Sequence, residues 1–229
     1  MSVLLDPTAR YGALESYVYD RCIAPAVMDL ADRVEERLLG RLPSGARLLE
    51  VGSGGGQLAV RFAGRRPDLD ITGVDLSPDQ VARATERTRD LSDRVRFVEG
   101  SALALPFAAE SFDAVLSVAS IKHWPDPAQG VAECARVLRP GGLLAILEAD
   151  RGCTLRDARA FVGRWRIPSL LRGPALMAFR TFVAGNALDL EDARALVAAL
   201  GPGEWAAERI EGTPGLLLFG VRASATTTT

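Results

Sequence analysis

Between residues 46 and 150, short apolar runs alternate with stretches of helical spacing, and this rhythm restricts the fold more than any other feature. The runs are ARLLEVG (46–52), DITGVDL (70–76), VRFVEG (95–100), FDAVLSVAS (112–120) and LLAILEAD (143–150). They are near-continuously apolar, as strands buried on both faces are. Helical stretches lie between them. QLAVRFAGR stops at Gly64 and Pro67, and SPDQVARATERTRDL opens with Ser77 as N-cap and Pro78 at the first helical position. PAQGVAECARVL is closed by Pro140-Gly141-Gly142. Strands separated by helices in this order predict a parallel sheet with helices on both faces.

The flanks add detail. Val27, Leu30, Val34 and Leu38 give residues 13–39 a helical face, ended by Gly40, Pro43 and Gly45. A helix is expected at roughly 189–200. EWAAERIEGT and GLLLFGVRA then read as a hairpin joined at Thr213-Pro214-Gly215. Residues 151–188 break the alternation and read as an insertion. The expected organisation is an N-terminal helical cover (1–45), a main domain (46–222) with a lid-like insertion (151–188), and a disordered tail or cloning remnant (223–229).

Composition narrows the function classes. The chain has 229 residues, 48% apolar and 24% charged, which suits a soluble globular protein. Its net charge of −2 gives no global drive towards nucleic acid or membrane. Cys22, Cys134 and Cys153 show no CxxC spacing and there is one histidine, which argues against zinc. Reduced thiols and a cytoplasmic location are expected. MSVLLDPTAR lacks the apolar core of a signal peptide, and no apolar run approaches the roughly 18 residues of a membrane span.

Two marks point to a nucleoside cofactor. Gly52, Gly54 and Gly56 sit at the first strand-to-helix turn, where missing side chains let the backbone approach a ligand. The dinucleotide fingerprint needs a small residue at position 57, which is Gln57, so an NAD oxidoreductase is disfavoured. Asp75 lies 23 residues after Gly52, at the end of the second strand, where a carboxylate can accept hydrogen bonds from both ribose hydroxyls. Taken singly, the glycines serve a tight turn and Asp75 starts a helix; together they favour the nucleoside.

At these residues the sequence resembles the class I S-adenosylmethionine-dependent methyltransferases, within them the ubiquinone/menaquinone-methyltransferase-like small-molecule group. LLEVGSGGGQLA, ITGVDLSPDQVARA, VRFVEGSALALPFAAESFDAVLSVASIKHWPDP and ARVLRPGGLLAILEAD carry the resemblance, over about residues 46–150. It implies a Rossmann-like α/β fold, with a seven-stranded, mostly parallel sheet whose last strand is antiparallel. It also implies residue roles. Glu50, Gly52, Ser53, Gly54 and Gly56 would border the methionine part of S-adenosylmethionine, Asp75 would hold the ribose, and Leu76 would cover the adenine. Ser101-Ala102 stands where the family has Asp-Ala, so a neutral oxygen would accept the adenine amino group. Ser117 and Val118 would lie beside the methionine moiety. The product would be S-adenosylhomocysteine.

SIKHWPD (120–126) then acquires a place. Lys122 is the only lysine and His123 the only histidine; the other 26 cationic side chains are arginines. Ligands of such sheets bind beyond the carboxyl ends of the strands. Lys122, His123, Glu148 and Asp150, at the ends of the fourth and fifth strands, should converge there. His123 is the candidate general base, oriented by Glu148, and its alternative is to pack and cap the following turn. Lys122 would either bind an anionic group or reach into solvent.

The covers complete the expectations. Tyr11, Tyr17 and Tyr19 would close the pocket or pack in the core. From Arg151 to Arg180 there are seven arginines and one acid, Asp157, a net +6 against −8 elsewhere. Phe161, Trp165, Met177, Phe179 and Phe182 are interleaved. That pattern suggests an anionic or amphiphilic aromatic substrate, Trp165 included in its site, or peripheral contact with an anionic membrane surface; an arginine-rich solvated face is the alternative. The chain is expected to methylate a small-molecule hydroxyl or activated carbon as a monomer or homodimer. Two alternatives are an S-adenosylmethionine-binding protein without catalysis and a nucleic-acid methyltransferase. The latter lacks its Asn/Asp-Pro-Pro-aromatic motif here and the basic patch is local, so no nucleic acid is expected, and neither is a metal or stable membrane insertion, on the cysteine pattern and run lengths above.

Overall fold

The computed structural model describes residues 19–224. Tyr11 and Tyr17 lie outside them, as does the side chain of Tyr19. Seven strands form one sheet: β1 (Arg47–Val51), β2 (Asp70–Asp75), β3 (Val95–Glu99), β4 (Phe112–Val118), β5 (Leu138–Ala149), β6 (Gly203–Ile210) and β7 (Gly215–Arg222). Their order is β3-β2-β1-β4-β5-β7-β6. β1 pairs in parallel with β2 and with β4, Leu48 lying opposite Ile71 on one side and Ala114 on the other. The direction of winding reverses between β1 and β4, so a crevice opens beyond their carboxyl ends. β7 alone runs against its neighbours. It enters by the hairpin from β6 and pairs antiparallel with β5, Leu143 opposite Val221.

The helices are α1 (Ala24–Leu38), α2 (Gln57–Arg65), α3 (Pro78–Arg87), α4 (Pro127–Val137), α5 (Leu155–Gly163), α6 (Arg172–Ala178) and α7 (Leu190–Ala198). Successive strand residues face opposite ways, so two cores form. Leu48 joins Leu38, Phe62, Ile71 and Leu116 on one face. Leu49 joins Phe112, Val115, Leu144 and Ile146 on the other. Each buried leucine contributes about 1.5–3 kcal/mol. Such two-sided burial requires the continuous apolar runs.

Three local expectations change. Ser77 occupies the N-cap position of α3, but its side chain makes no cap hydrogen bond; the Asp75 carboxylate accepts from the Ser77 N–H instead, at 2.9 Å. Pro140-Gly141-Gly142 does not close α4. That helix ends at Val137, and the three residues form a bulge within β5, where pairing slips from Phe112–Leu138 to Ala114–Leu143 and Gly141 takes φ +79°. Gly215 begins β7 rather than belonging to the turn.

Residues 151–188 are helical. α5 leads through a short 3-10 turn (Ser169–Leu171) to α6 and a π-helical turn (Phe179–Ala184). They share a third core with α1, in which Val27 meets Phe161, Val162, Trp165 and Phe179. The lid is thereby fixed over the end of the sheet where β4 and β5 finish.

Candidate active site

The β1–α2 turn shows why its glycines differ. Gly52, Gly54 and Gly56 all have positive φ, +74°, +50° and +76°. A Cβ at Gly52 would come within 2.0 Å of Ser120 Oγ, and one at Gly56 would meet Phe97 and Ala84 at 2.9–3.0 Å. These two glycines let other parts of the protein come close. A Cβ at Gly54 would meet nothing within 4 Å. Gly54 therefore faces the open crevice, as a ligand cradle must. The Gly54 N–H donates to Asp75 Oδ2 at 2.8 Å, and the Arg87 guanidinium donates to the Gly55 carbonyl.

Three compartments line the crevice. The first is bounded by Gly52, Asp75, Leu76, Ser101, Val118 and His123. Asp75 is held by the N–H groups of Gly54 and Ser77, and each carboxylate oxygen keeps a second lone pair for a ligand hydroxyl. Burial raises its pKa, opposed by those two hydrogen bonds. Leu76 leaves 46% of its surface exposed at the rim, an apolar face ready for a planar ring. Ser101 Oγ accepts from Leu103 N–H at 3.2 Å, and Ala102 lies beside it in the same wall. Gln80 and Trp124, not singled out in the sequence, also line it. The indole of Trp124 lies against Gly130, where a Cβ would approach it to 2.3 Å, and its Nε1 donates to Ser120 Oγ at 3.1 Å. A tryptophan six residues before a helical glycine was the available signal.

The second compartment holds Glu50, Ser53, Gln57 and Met28 beside the glycines. Here two buried polar atoms, Glu50 Oε2 and Ser53 Oγ, have no hydrogen-bond partner. Burial, and secondarily the Asp75 carboxylate, push the Glu50 pKa up to about 8. A buried acid and hydroxyl left unpaired suit the ammonium and carboxylate of an amino-acid moiety.

The third compartment lies under the lid, lined by Val27, Val118, Lys122, Glu148, Phe161 and Trp165 among others. Lys122 Nζ donates to Glu148 Oε1 at 3.1 Å and Oε2 at 3.3 Å, and to the Ala119 carbonyl at 2.6 Å. Its side chain is 7% exposed and that of Glu148 1%. Ala119, just before, has φ +56°, a conformation rare outside glycine that concentrates at functional sites. Phe161, Trp165 and Phe179 form a mutual aromatic cluster with centroids 5.3–6.1 Å apart.

The sequence-based site is therefore rearranged. Glu148 pairs with Lys122, and His123 lines the first compartment. Lys122 does not reach into solvent. Ser117 is fully buried and spends its hydroxyl on the Val51 carbonyl at 2.8 Å, tying β4 to β1 away from the compartments. Asp150 is drawn off by Arg209 at 2.6 Å. All seven arginines of 151–180 are exposed, and none lines the third compartment.

A Rossmann-like sheet with a glycine turn, a strand-end acid and a crevice at its switch point has the build of a nucleoside-binding fold, with a further, lidded compartment beside it. The comparisons narrow the class. A family model described as a methyltransferase domain matches residues 49–146. An O-methyltransferase of Pyrenophora dematioidea is 33% identical over 204 residues, 84% of this chain and 75% of that protein. The 27-O-demethylrifamycin SV methyltransferase of Amycolatopsis mediterranei is 43% identical over 118 residues, 50% of this chain and 43% of that protein. The demethylmenaquinone methyltransferase of Deinococcus radiodurans is 39% identical over 102 residues, 44% and 42% of the two chains. The chain spans about half the length, 42–49%, of the first four curated relatives it matches. In fold, it is similar to a Methanococcus maripaludis structure described as an S-adenosyl-L-methionine-dependent methyltransferase (TM-score 0.69, 20% identity, 93% and 92% coverage). It is also similar to the [4+2]-cyclase SpnF (TM-score 0.58, 24% identity, 86% and 82% coverage). The chain belongs to the S-adenosylmethionine-dependent methyltransferase family, and the orphaned polar atoms beside its glycine turn fit that cofactor.

Proposed function

We propose that this protein transfers a methyl group from S-adenosylmethionine to a hydroxyl or activated carbon of a small molecule held under the lid. The observation that carries the reading is the position of Val118. It lines all three compartments, with Ala119 and Val27 each shared by two, so the cofactor and acceptor spaces adjoin around this side chain. Asp75 would hold the ribose, Leu76 and Ala102 the adenine, and Glu50, Ser53 and Gly54 the methionine portion. The cofactor supplies an electrophilic methyl on a sulfonium. Once bound, it would donate that methyl to the acceptor atom, its sulfur keeping the electron pair of the broken carbon–sulfur bond. The acceptor's proton passes to Glu148, the one carboxylate lining the lidded compartment among the described residues. Most of the acceleration comes from holding three atoms in line.

His123 serves the cofactor side in this reading rather than acting as the base. The outward arginines beside Leu170 and Met177, 77% and 72% exposed, suit peripheral contact with an anionic surface rather than the acceptor. Among the described residues, no helix is long and apolar enough to cross a membrane. Calorimetry with S-adenosylmethionine, followed by S-adenosylhomocysteine release across a panel of phenols, alcohols and β-dicarbonyl compounds, tests the assignment. Cofactor binding with turnover on an acceptor class supports it; binding with no turnover on any acceptor leaves a binding protein without catalysis.

A further inference from the structure

The lidded compartment has a chemistry of its own. Most of its wall is hydrocarbon or aromatic, from Val27 and Leu30 to Phe161 and Phe179. Its only charges among the described residues are Lys122 and Glu148, which cancel and already satisfy each other. One polar atom is left over. Trp165 is 9% exposed, lines the compartment, and its Nε1 has no partner. An indole N–H can only donate. Burying it unpaired costs about 1–3 kcal/mol, which a ligand oxygen in reach would recover.

These observations exclude the substrate that the lid's composition suggests. A free anion would have to shed its water beside Glu148, with the neighbouring cation already committed. The arginines that could have compensated it are all on the outer surface. We infer that the compartment binds a neutral, largely apolar and flat acceptor carrying a hydroxyl or carbonyl oxygen. That oxygen accepts from Trp165 Nε1 and the acceptor's ring lies against Phe161 and Phe179, while a second hydroxyl, in an acceptor that carries one, meets the Lys122–Glu148 pair. The inference rests on the methyltransferase reading of the crevice and names the acceptor class for it.

The test uses the full chain saturated with S-adenosylhomocysteine, whose own titration reports on the cofactor assignment separately. 2-Naphthol and 2-naphthoate share a skeleton and differ in charge at pH 7. Their equilibrium binding is read by fluorescence. The expected result is naphthol binding at least tenfold tighter than naphthoate. Trp165→Phe keeps the aromatic wall and removes only the donor; it should weaken naphthol about 3–10-fold and leave S-adenosylhomocysteine affinity unchanged. Naphthoate binding as tightly as naphthol, binding of neither probe, or an unchanged naphthol affinity in Trp165→Phe overturns the inference. Loss of S-adenosylhomocysteine binding in the unsubstituted chain would instead strike the cofactor reading on which it rests.

Discussion

The two ends of the crevice are built by different means. The end proposed for the cofactor is made by backbone: three glycines in one turn, N–H groups of Gly54 and Ser77 on Asp75, and strand ends that finish side by side. The end proposed for the acceptor is made by side chains from α1, the exits of β4 and β5, α5 and the 179–184 turn, brought together only by tertiary packing. The first end needs a fixed local sequence. The second needs only shapes and polarities that add up, so the same fold can change acceptors without changing cofactor.

If that contrast is real, substitutions should separate cleanly. The largest effect is expected for Lys122→Met, which leaves Glu148 buried without its cation and should destabilise by about 3–5 kcal/mol in urea unfolding. Affinity for S-adenosylmethionine, measured where the variant is folded, should hold within about twofold, which would locate the damage at the acceptor end. Asp75→Ala should weaken S-adenosylmethionine at least 100-fold in calorimetry, about 2.7 kcal/mol; affinity near that of the unsubstituted chain would break the comparison at its cofactor end.

Within the glycine turn itself, Gly52→Ala combines a left-handed φ with the Ser120 clash and should cost about 2–4 kcal/mol of stability. Gly54→Ala meets no neighbour and should cost only about 1 kcal/mol, yet its methyl enters the cradle and should lower cofactor affinity. Thermal melts paired with cofactor titrations distinguish the two glycines.

Glu50 gives a pH signature. With a pKa near 8 in the cofactor-free protein, it is mostly protonated at pH 7. A cationic ammonium beside it favours the carboxylate, so binding should release up to one proton and tighten as pH rises from about 6 to 8. Stability of the free protein runs the other way. Between pH 4.5 and about 8 the native state keeps a proton that the unfolded chain has lost, and each unit costs up to about 1.4 kcal/mol. Glu50→Gln should flatten both slopes, as seen in buffers of different ionisation enthalpy and in pH-dependent melts. The smallest effect is expected for His123→Ala. A residue lining the first compartment should change cofactor affinity a few-fold; a kcat loss of about 100-fold with unchanged affinity would return it to the role of base.

Legibility in the sequence followed the same division. The five runs from 46 to 150, the hairpin and the helix at 189–200 correspond to β1–β5, β6–β7 and α7, because each is set by periodicity and turn chemistry within a few residues. Pro140-Gly141-Gly142 misled because a helix stop and a strand bulge use the same residues. At the site, the glycines and Asp75 were readable because a turn fixes their neighbours. The Lys122–Glu148 pair was not. Sequence places both at strand exits, but which neighbour a carboxylate selects is decided by the left-handed Ala119 turn and the 3-10 turn Ile121–His123. Nor could the outward facing of seven arginines be read, since composition has no direction.

The buried ion pair has a practical side. Because Lys122 is the only lysine, the chain carries one ε-amine, and that amine lines the lidded compartment. Apart from the α-amine of the chain terminus, it is the one amine that mild reductive alkylation can modify, so a peptide-resolved readout reports on that position alone. Protection of that amine by a bound molecule gives an occupancy readout that needs neither a chromophore nor turnover.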